Sequence, residues 1–437
     1  MTDPALPPAP RLIARTREID PVEDLLEYTS PDAPMVWLRR GDGIVGSGET
    51  LRLGFGGEDA YSAPSTGEPA VAELWRTLVA VADVDDPLDL PGTGLVAFGS
   101  FAFDRRSSTS SRLIVPTTVV GRHGSRFWTT RISLAGDDGT SSDDEPPTAV
   151  PYGPYWSATL GPGALDPAAY QEAVRGGLDA IDHGTVSKVV LARDLAGTIP
   201  AGSDLRRLAR ALASGYPDTW AYAVDGLIGA SPETLVTVSR GVATARVLAG
   251  TTPRGADADA DVAASLALST SAKDLDEHQY AVQSVLAALR PHTTALCASE
   301  QPFALKLPNV WHLATDVEGD IAGAASALDL IRVLHPTAAV AGTPTDAALD
   351  VIRHLEPFDR GRFAGPVGWV NAKGDGEWAI ALRCAQVDLD PVRGVAAYRD
   401  TIRVTAFAGA GIVAGSDPES ELVETRVKFR PIVDALA

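Results

Sequence analysis

A lysine within an apolar run is the first residue of this 437-residue chain that could do chemistry. Lys188 stands in Ser187-Lys-Val-Val-Leu-Ala192, which is predicted to be a buried strand. Burial disfavours the ammonium form and lowers the pKa of a lysine, so Lys188 could act as a base near neutral pH. A lysine on an edge strand that extends its amine into solvent is the alternative that the local sequence leaves open.

Glu233 lies at the mouth of another predicted strand, at the end of Gly229-Ala-Ser-Pro-Glu233. The proline removes a backbone donor, which marks a strand start or an edge. Further along, the turn Leu248-Ala-Gly-Thr-Thr-Pro-Arg-Gly255 is rich in glycine and threonine. Backbone N–H groups in such a turn can face a small anionic ligand. The stretch therefore places one carboxylate beside a turn that could line a ligand pocket.

Two predicted helices each carry a carboxylate away from the apolar stripe, with an acidic neighbour three residues earlier. These carboxylates are Glu277, which follows Asp274, and Glu424, which follows Glu421 and precedes Lys428. Such oxygens suit a hard cation, and Mg²⁺ takes one or two carboxylates together with waters and a substrate oxygen. Two solvated acidic helix faces are the alternative.

Arg383 is a charge in the apolar segment Ala379-Ile-Ala-Leu-Arg-Cys384, which predicts a strand. Its planar guanidinium favours a bidentate carboxylate from the protein or from a ligand, although a surface pair at a strand end is equally open. The segment Gly409-Ala-Gly-Ile-Val-Ala-Gly415 lacks the GxGxxG spacing of a dinucleotide site. It is better interpreted as bare backbone packed against a small ligand.

The elements that must position these residues are helices mixed with antiparallel hairpins, which predicts an α+β fold. An acidic segment rich in Ser, Gly and Pro, at about 136–154, predicts a linker that ends an N-terminal α+β part at residues 1–155. Residues 156–437 form the second part. Helices are predicted at 71–81, 166–183, 204–213, 258–269, 274–289, 325–334, 345–354 and from 417 towards 429. Strands and hairpins are predicted at 94–104, 114–120, 126–134, 187–195, 220–238, 365–388 and 401–413.

The composition limits the partners of the chain. Its 37 basic and 57 acidic residues give a net charge of −20, which argues against nonspecific binding to nucleic acid or to an anionic membrane. An anionic substrate would therefore need local cations or a metal. Two cysteines make no disulfide framework. The N-terminus has no signal-peptide pattern and no apolar run is long enough to span a membrane, so a cytoplasmic location is expected.

Eleven segments lie in order across about 165–433, and they begin at Ser187, Gly229, Leu248, Lys273, Trp311, His335, Glu356, Gly376, Ile380, Ala408 and Glu421. Together these segments resemble the chorismate-utilising enzymes. The N-terminal segment 96–104 also resembles that family. Such a resemblance implies an anthranilate synthase component I-like fold, in which large antiparallel sheets pack against outer helices, and a chorismate-binding catalytic domain at 156–437.

Within the family, Trp311-His-Leu-Ala-Thr315 and His335-Pro-Thr337 are most similar to isochorismate synthases. The resemblance implies that Lys188 activates water for attack at C2 of chorismate, and that Glu233 protonates the departing C4 hydroxyl. It implies a Mg²⁺ ion that holds the ring carboxylate, and a pocket that binds the rest of the substrate. The implied metal ligands are Glu277 and Glu424, with Asp274 and Glu421 assisting through waters. The implied substrate-binding residues are Gly250, Thr251, His312, Arg383, Ala408, Gly409, Gly411 and Lys428.

The resemblance thus predicts a magnesium-dependent, monomeric enzyme that acts on chorismate without a glutaminase subunit and feeds menaquinone or catechol-siderophore synthesis. A salicylate synthase, an anthranilate or aminodeoxychorismate synthase, and a catalytically inactive binding protein of the same fold are the alternatives. Two departures from the family pattern stand out. Ala338 replaces a usual proline, and the segment at about 389–400 is longer than usual.

Overall fold

A computed structural model describes residues 10–56, 71–136, 147–306, 310–389 and 401–437. Two predicted features fall largely outside these ranges. They are the acidic linker, much of which lies at 137–146, and the lengthened segment, most of which lies at 390–400. Within the described ranges, no helix is long and apolar enough to cross a membrane.

The helices lie close to the predicted ranges. Asp166 caps the second helix as predicted, because its side chain accepts a hydrogen bond from the backbone N–H of Ala169. Short 3₁₀ turns lie at Leu25–Tyr28 and Arg290–His292. The α-helices in the described part are α1 (Val71–Val81), α2 (Pro167–Asp182), α3 (Arg206–Gly215), α4 (Ala258–Thr270), α5 (Ala272–Leu289), α6 (Ala327–Leu334), α7 (Thr345–Leu355) and α8 (Pro418–Leu436).

The last helix is longer than predicted. It was predicted to run from Asp417 towards Phe429, and a proline such as Pro431 lacks the N–H that continues a helical ladder. Instead α8 continues to Leu436 with Pro431 in its interior. Burial of Ile432 and Leu436 in the core holds this final part against α3 and the larger sheet.

The larger of two sheets has thirteen strands within the described residues. Its strands are β1 (Leu12–Ile19), β2 (Met35–Arg39), β3 (Asp42–Ser47), β5 (Asp83–Asp85), β8 (Thr118–His123), β9 (Arg126–Leu134), β10 (Gly161–Pro162), β11 (Lys188–Pro200), β12 (Trp220–Val224), β13 (Leu227–Ser231), β19 (Gly342–Thr343), β22 (Cys384–Val387) and β23 (Thr401–Val413). They are ordered β10-β11-β23-β22-β13-β12-β2-β3-β8-β9-β1-β5, and β19 pairs with β11. The pairing of β11 with β23 is antiparallel and extends from Lys188 to Pro200.

The smaller sheet has ten strands within the same residues. They are β4 (Leu51–Phe55), β6 (Val96–Ser100), β7 (Ser111–Val115), β14 (Thr234–Ser239), β15 (Val242–Pro253), β16 (Cys297–Ala298), β17 (Phe303–Lys306), β18 (Val310–Asp320), β20 (Pro366–Asn371) and β21 (Gly376–Ile380). Strands from before residue 155 enter both sheets, since β2 pairs with β12 and β6 pairs with β20. The N-terminal part therefore completes sheets that the C-terminal part begins.

Two apolar clusters lie on opposite faces of the larger sheet. Trp37 belongs to the cluster shared with the smaller sheet, whereas its neighbours Val36 and Leu38 belong to the cluster under α3 and α8. This follows from the alternation of side chains along a strand. The first cluster fixes the two sheets against each other, and the second covers the larger sheet with helices.

Candidate active site

The candidate site lies where two neighbouring stretches of chain cross from one sheet to the other. The segment at 226–238, predicted as one arm of a hairpin, leaves the larger sheet after Ser231 and enters the smaller sheet as β14. The segment at 365–388 crosses in the opposite direction, between β21 and β22. Glu233 lies in the first crossing and Arg383 in the second, so adjacent crossings carry the predicted acid and the predicted carboxylate-binding arginine.

Arg383 lies in a connection between two strands, so the prediction of its location was wrong. The prediction placed this residue inside an apolar strand, but β21 ends at Ile380 and Arg383 follows in the connection to β22. The chain must turn there to reach the other sheet, and Arg383 adopts a φ of 51°. A non-glycine residue seldom adopts this left-handed conformation, and such outliers cluster at functional sites.

Hydrogen bonds join the two crossings directly. The Ser231 hydroxyl donates to the Ile380 carbonyl at 2.6 Å, and the Ile380 N–H donates to the Glu233 carbonyl at 3.0 Å. The Ala230 N–H donates to the Arg383 carbonyl at 3.1 Å. Glu233 and Arg383 are therefore held in a fixed relation by backbone contacts and do not rely on loop packing alone.

Lys188 begins β11, and the glycine-rich part of β23 runs beside it. A Cβ atom on Gly411 would lie 3.2 Å from Cε of Lys188. A Cβ atom on Gly409 would lie only 2.7 Å from the Leu191 carbonyl oxygen. Glycine at these positions lets β23 pass close to the lysine and leaves bare backbone at the cavity wall.

The predicted turn at Gly250 is a bulge in a β-ladder. The register of β15 against β18 shifts between Ala249 and Thr251, and Gly250 has a φ of 78°. A Cβ atom on Gly250 would lie 3.3 Å from Cβ of Asp274, so glycine allows α5 to approach the strand. His312, on β18, is hydrogen-bonded to the Gly250 backbone.

Helix α8 brings the second acidic pair to the same place. Lys428 Nζ lies 2.5 Å from Glu424 Oε1 and donates a hydrogen bond of 2.9 Å to the Gly409 carbonyl. The i, i+4 spacing of Glu424 and Lys428 places both on one face of the helix. Lys428 thus connects α8 to the glycine-rich strand.

One cavity of about 360 Å³ collects most of the predicted residues. Thr251 lies on β15 and Glu277 on α5, but their side chains are outside the part of the chain that the structure describes. The cavity lining includes the predicted residues Lys188, Glu233, Gly250, Asp274, His312, Arg383, Ala408, Gly409, Gly411, Glu421, Glu424 and Lys428.

Several lining residues were not nominated from the sequence. Arg360, Val340, Phe407 and Ser416 also border the cavity. Of these, Arg360 gave a usable signal, because it closes the segment Glu356-Pro-Phe-Asp-Arg360 that contributes to the family resemblance. The apolar wall residues Val340 and Phe407 are indistinguishable in sequence from ordinary core residues.

Burial raises the pKa of Glu233 to about 7, even though nearby Lys188, Arg383 and Lys428 oppose the shift. A carboxyl group with this pKa can carry a proton near neutral pH, as a general acid must. Burial also lowers the pKa of Arg383, and the carboxylates of Glu424 and Glu233 oppose that shift. The cavity therefore combines a protonatable acid with several cationic groups.

The pKa of His312 is shifted downwards, in contrast to that of Glu233. Burial, together with Lys428 and Arg383, lowers its pKa to about 4. Its imidazole is neutral near pH 7, so it gives the cavity a hydrogen-bonding group and no charge.

The stability of the fold is expected to depend on pH through Glu233. The folded-state pKa of about 7 exceeds the ordinary value of 4.5, so the folded chain retains a proton that the unfolded chain releases. This contribution is fully present below pH 4.5 and is lost as the pH rises through about 7. Glu233→Gln cannot ionise, so the variant does not lose this stability at high pH. We expect the Tm of the variant, relative to that of the wild type, to be higher at pH 8 than at pH 5 by about 2–4 °C. Equal Tm changes at both pH values, measured by calorimetry, would contradict this assignment.

Three of the cavity carboxylates could hold a cation. Asp274, Glu421 and Glu424 all border the cavity, and burial together with the neighbouring Glu424 raises the pKa of Glu421. A bound cation would relieve this repulsion, and carboxylate oxygens suit Mg²⁺ when waters complete its coordination. Among the described side chains, however, no three such groups already stand close enough to coordinate one ion.

Comparison with known proteins decides the family. Residues 11–437 of this chain match the sequence pattern of the family of chorismate binding enzymes. The chain belongs to the chorismate binding enzymes. The predicted family is thereby confirmed, and the match covers the N-terminal strands as well as the segments that carry the site.

Two relatives of this chorismate binding enzyme are isochorismate synthases. Isochorismate synthase DhbC of Bacillus subtilis is 40% identical over 283 residues, which cover 62% of this chain and 68% of DhbC. The salicylate biosynthesis isochorismate synthase of Pseudomonas aeruginosa is 32% identical over 456 aligned positions, which cover 98% of this chain and 90% of the relative.

Solved structures of similar shape confirm the predicted fold of this chorismate binding enzyme. MenF, the menaquinone-specific isochorismate synthase of Escherichia coli, has a TM-score of 0.77 at 24% identity and covers 99% of this chain and 96% of MenF. Anthranilate synthase component I of Streptococcus pneumoniae has a TM-score of 0.67 at 20% identity, with 90% of this chain and 92% of the other covered. At these identities the likeness concerns the fold alone.

Proposed function

We propose that this enzyme is an isochorismate synthase, which converts chorismate to isochorismate. The observation that carries the proposal is the composition of one cavity. It holds a candidate base, Lys188, and a candidate acid, Glu233, together with the cationic Arg383 and Lys428. The relatives named isochorismate synthases support the same activity.

In the proposed reaction, Lys188 Nζ takes a proton from a water molecule while the water oxygen forms a bond to C2 of chorismate. Both ring double bonds shift by one position, and the bond between C4 and its hydroxyl oxygen breaks. Glu233 donates its proton to the departing hydroxyl, which leaves as water. One water is consumed and one is released, so the reaction is an isomerisation that needs no oxidant and no second substrate.

The charges of the cavity suit a dianionic substrate. A protein with a net charge of −20 repels anions at long range, so local cations must offset that field. Arg383 offers a planar fork to a carboxylate, and the backbone of Gly409 and Gly411 borders the same space. We assign the enolpyruvyl carboxylate of chorismate to this group.

We further propose that the enzyme depends on Mg²⁺. Glu277 and Glu424 would hold the ion, with Asp274 and Glu421 assisting through waters. When bound, Mg²⁺ supplies positive charge that offsets the substrate carboxylate and the surrounding acidic groups. In the structure Lys428 pairs with Glu424, so this ligand is already held by a neighbouring cation.

Glu424→Ala tests the metal proposal. Because a carboxylate ligand is lost, we expect the Mg²⁺ concentration for half-maximal activity to rise by at least about tenfold. Binding of Mn²⁺, followed by electron paramagnetic resonance, should weaken in parallel. The control is Glu419→Ala on the same helix, which removes an exposed carboxylate that does not line the cavity. An unchanged metal titration in Glu424→Ala would count against the role of Glu424.

Product analysis tests the activity itself. Chorismate and Mg²⁺ should yield isochorismate on chromatography, and added ammonia or glutamine should change neither the rate nor the product. Salicylate as the main product would assign the chain to a synthase that also eliminates pyruvate. We expect the enzyme to work in the cytoplasm as a monomer without a glutaminase subunit, and to feed menaquinone or catechol-siderophore synthesis.

A further inference from the structure

One edge of β11, the strand that carries Lys188, is paired with other strands over two short stretches only, among the residues that the structure describes. On its other edge β11 pairs with β23 over its full length. On this edge, β19 pairs with Lys188 and Val189, and β10 pairs with Leu195 and Ala196. No strand among the described residues pairs with positions 190–194 on this edge, although their backbone groups need partners there.

Backbone groups outside the strands serve two positions of this gap, since the Val190 N–H donates to the Ala341 carbonyl and the Asp194 carbonyl accepts from the Gly163 N–H. A buried ion pair serves the positions between them. The Ala192 N–H donates to Oε1 of Glu356 at 2.7 Å, and Nη2 of Arg360 donates to the Val190 carbonyl at 2.7 Å. The guanidinium also donates to Oε2 of Glu356 at 2.8 Å and to the Val340 carbonyl at 3.0 Å. Glu356 and Arg360 thus supply to β11 the acceptor and the donor that a neighbouring strand would supply.

The pair is held rigidly. The side chains of Arg360 and Glu356 are only 3% and 1% exposed. The guanidinium carbon lies 4.4 Å from the ring centre of Phe103, which comes from the N-terminal part of the chain. A buried ion pair is seldom the most stabilising choice for a core, and such pairs can serve to set a specific geometry.

We propose that Glu356 and Arg360 are positioning residues that fix the strand of the base. Lys188, Val190 and Ala192 alternate onto one face of β11, and all three border the cavity. The ion pair holds the backbone of the second and third of these residues, and thereby fixes the path of the strand from which Lys188 extends. The inference rests on the proposed role of Lys188 as the base.

Arg360→Lys tests the inference because it keeps the charge but removes the planar fork. We expect kcat to fall by about 100-fold, the loss typical of a displacement near 1 Å. KM should change by less than about threefold, since the groups that bind the substrate stay in place. Glu356→Gln keeps an acceptor for the Ala192 N–H and should retain more turnover than Glu356→Ala.

A matched control separates positioning from general destabilisation. Asp204 and Arg206 form another buried pair, 3% and 0% exposed, that does not line the cavity. Asp204→Asn should lower Tm by an amount similar to Arg360→Lys but leave kcat within about twofold, because the site is remote. All variants are assayed well below their Tm.

A second measurement does not depend on turnover. The rate at which an amine-acylating reagent modifies Lys188 is followed by peptide mass spectrometry, with Lys373 as the internal reference. We expect Arg360→Lys to change this rate and Asp204→Asn to leave it unaltered. If Arg360→Lys matches Asp204→Asn in both kcat and labelling, the inference is overturned. If instead Lys188→Ala keeps its turnover while Arg360→Lys still alters labelling, the positioning role stands and the base assignment fails.

Discussion

Lys188→Ala is expected to lower kcat for isochorismate formation by about 10²–10⁴-fold, the usual contribution of a general base. The alanine side chain cannot accept a proton from the attacking water. The chain should remain folded, because Lys188 is only partly buried at the start of β11 and the pairing of β11 with β23 is a backbone contact. Initial rates and circular dichroism measure the two properties together.

Two further variants separate the base role from a charge effect. Lys188→Arg keeps the positive charge but cannot deprotonate near neutral pH, so we expect it to be as inactive as Lys188→Ala. Lys373→Ala removes an exposed lysine outside the cavity and should leave turnover unaltered. Turnover near the wild-type rate in Lys188→Arg would mean that the position contributes charge alone.

Glu233→Gln is the second substitution for which we expect a large loss of turnover. The amide fills the space of the carboxyl group but cannot protonate the departing hydroxyl, so kcat should fall by about 10²–10⁴-fold. The binding of chorismate should persist, because Arg383 and the glycine-rich strand remain in place. Equilibrium binding to the inactive variant measures this directly.

Glu377→Gln is the matched control for this change. Burial also raises the pKa of Glu377, which accepts hydrogen bonds from Trp37 and Trp369, and it lies outside the cavity. The same isosteric substitution there should leave turnover unaltered. If Glu233→Gln retained near-wild-type turnover, the proposed acid would be wrong even if the product were isochorismate.

Much of this fold could be predicted from the sequence because helical stripes and caps are local signals. The stripe in α2 and its Asp166 cap depend on residues within one or two turns. The candidate groups Lys188, Glu233 and Arg383 could also be identified from the sequence. A charged side chain in an apolar run needs a partner in any fold that the chain adopts. Their assembly in one cavity depended on the resemblance, because no local pattern brings β11, β14 and α8 together.

Other features could not be predicted for a physical reason. Strands β13 and β14 read as one apolar run, and the alternation of side chains is the same whether the chain stays in one sheet or crosses to another. The left-handed turn at Arg383 follows from the other crossing, between β21 and β22, and leaves no mark in composition. The role of Arg360 was hidden similarly, because its partners are backbone atoms of β11 that lie far away in sequence.

The most direct test of the central claim follows the oxygen. Chorismate and Mg²⁺ are incubated with the enzyme in H₂¹⁸O, and the product is analysed at early times by mass spectrometry and NMR. The account predicts isochorismate with one ¹⁸O, in the new hydroxyl on the carbon that was C2 of chorismate. Isochorismate without ¹⁸O at that carbon, or salicylate as the main product, would contradict it.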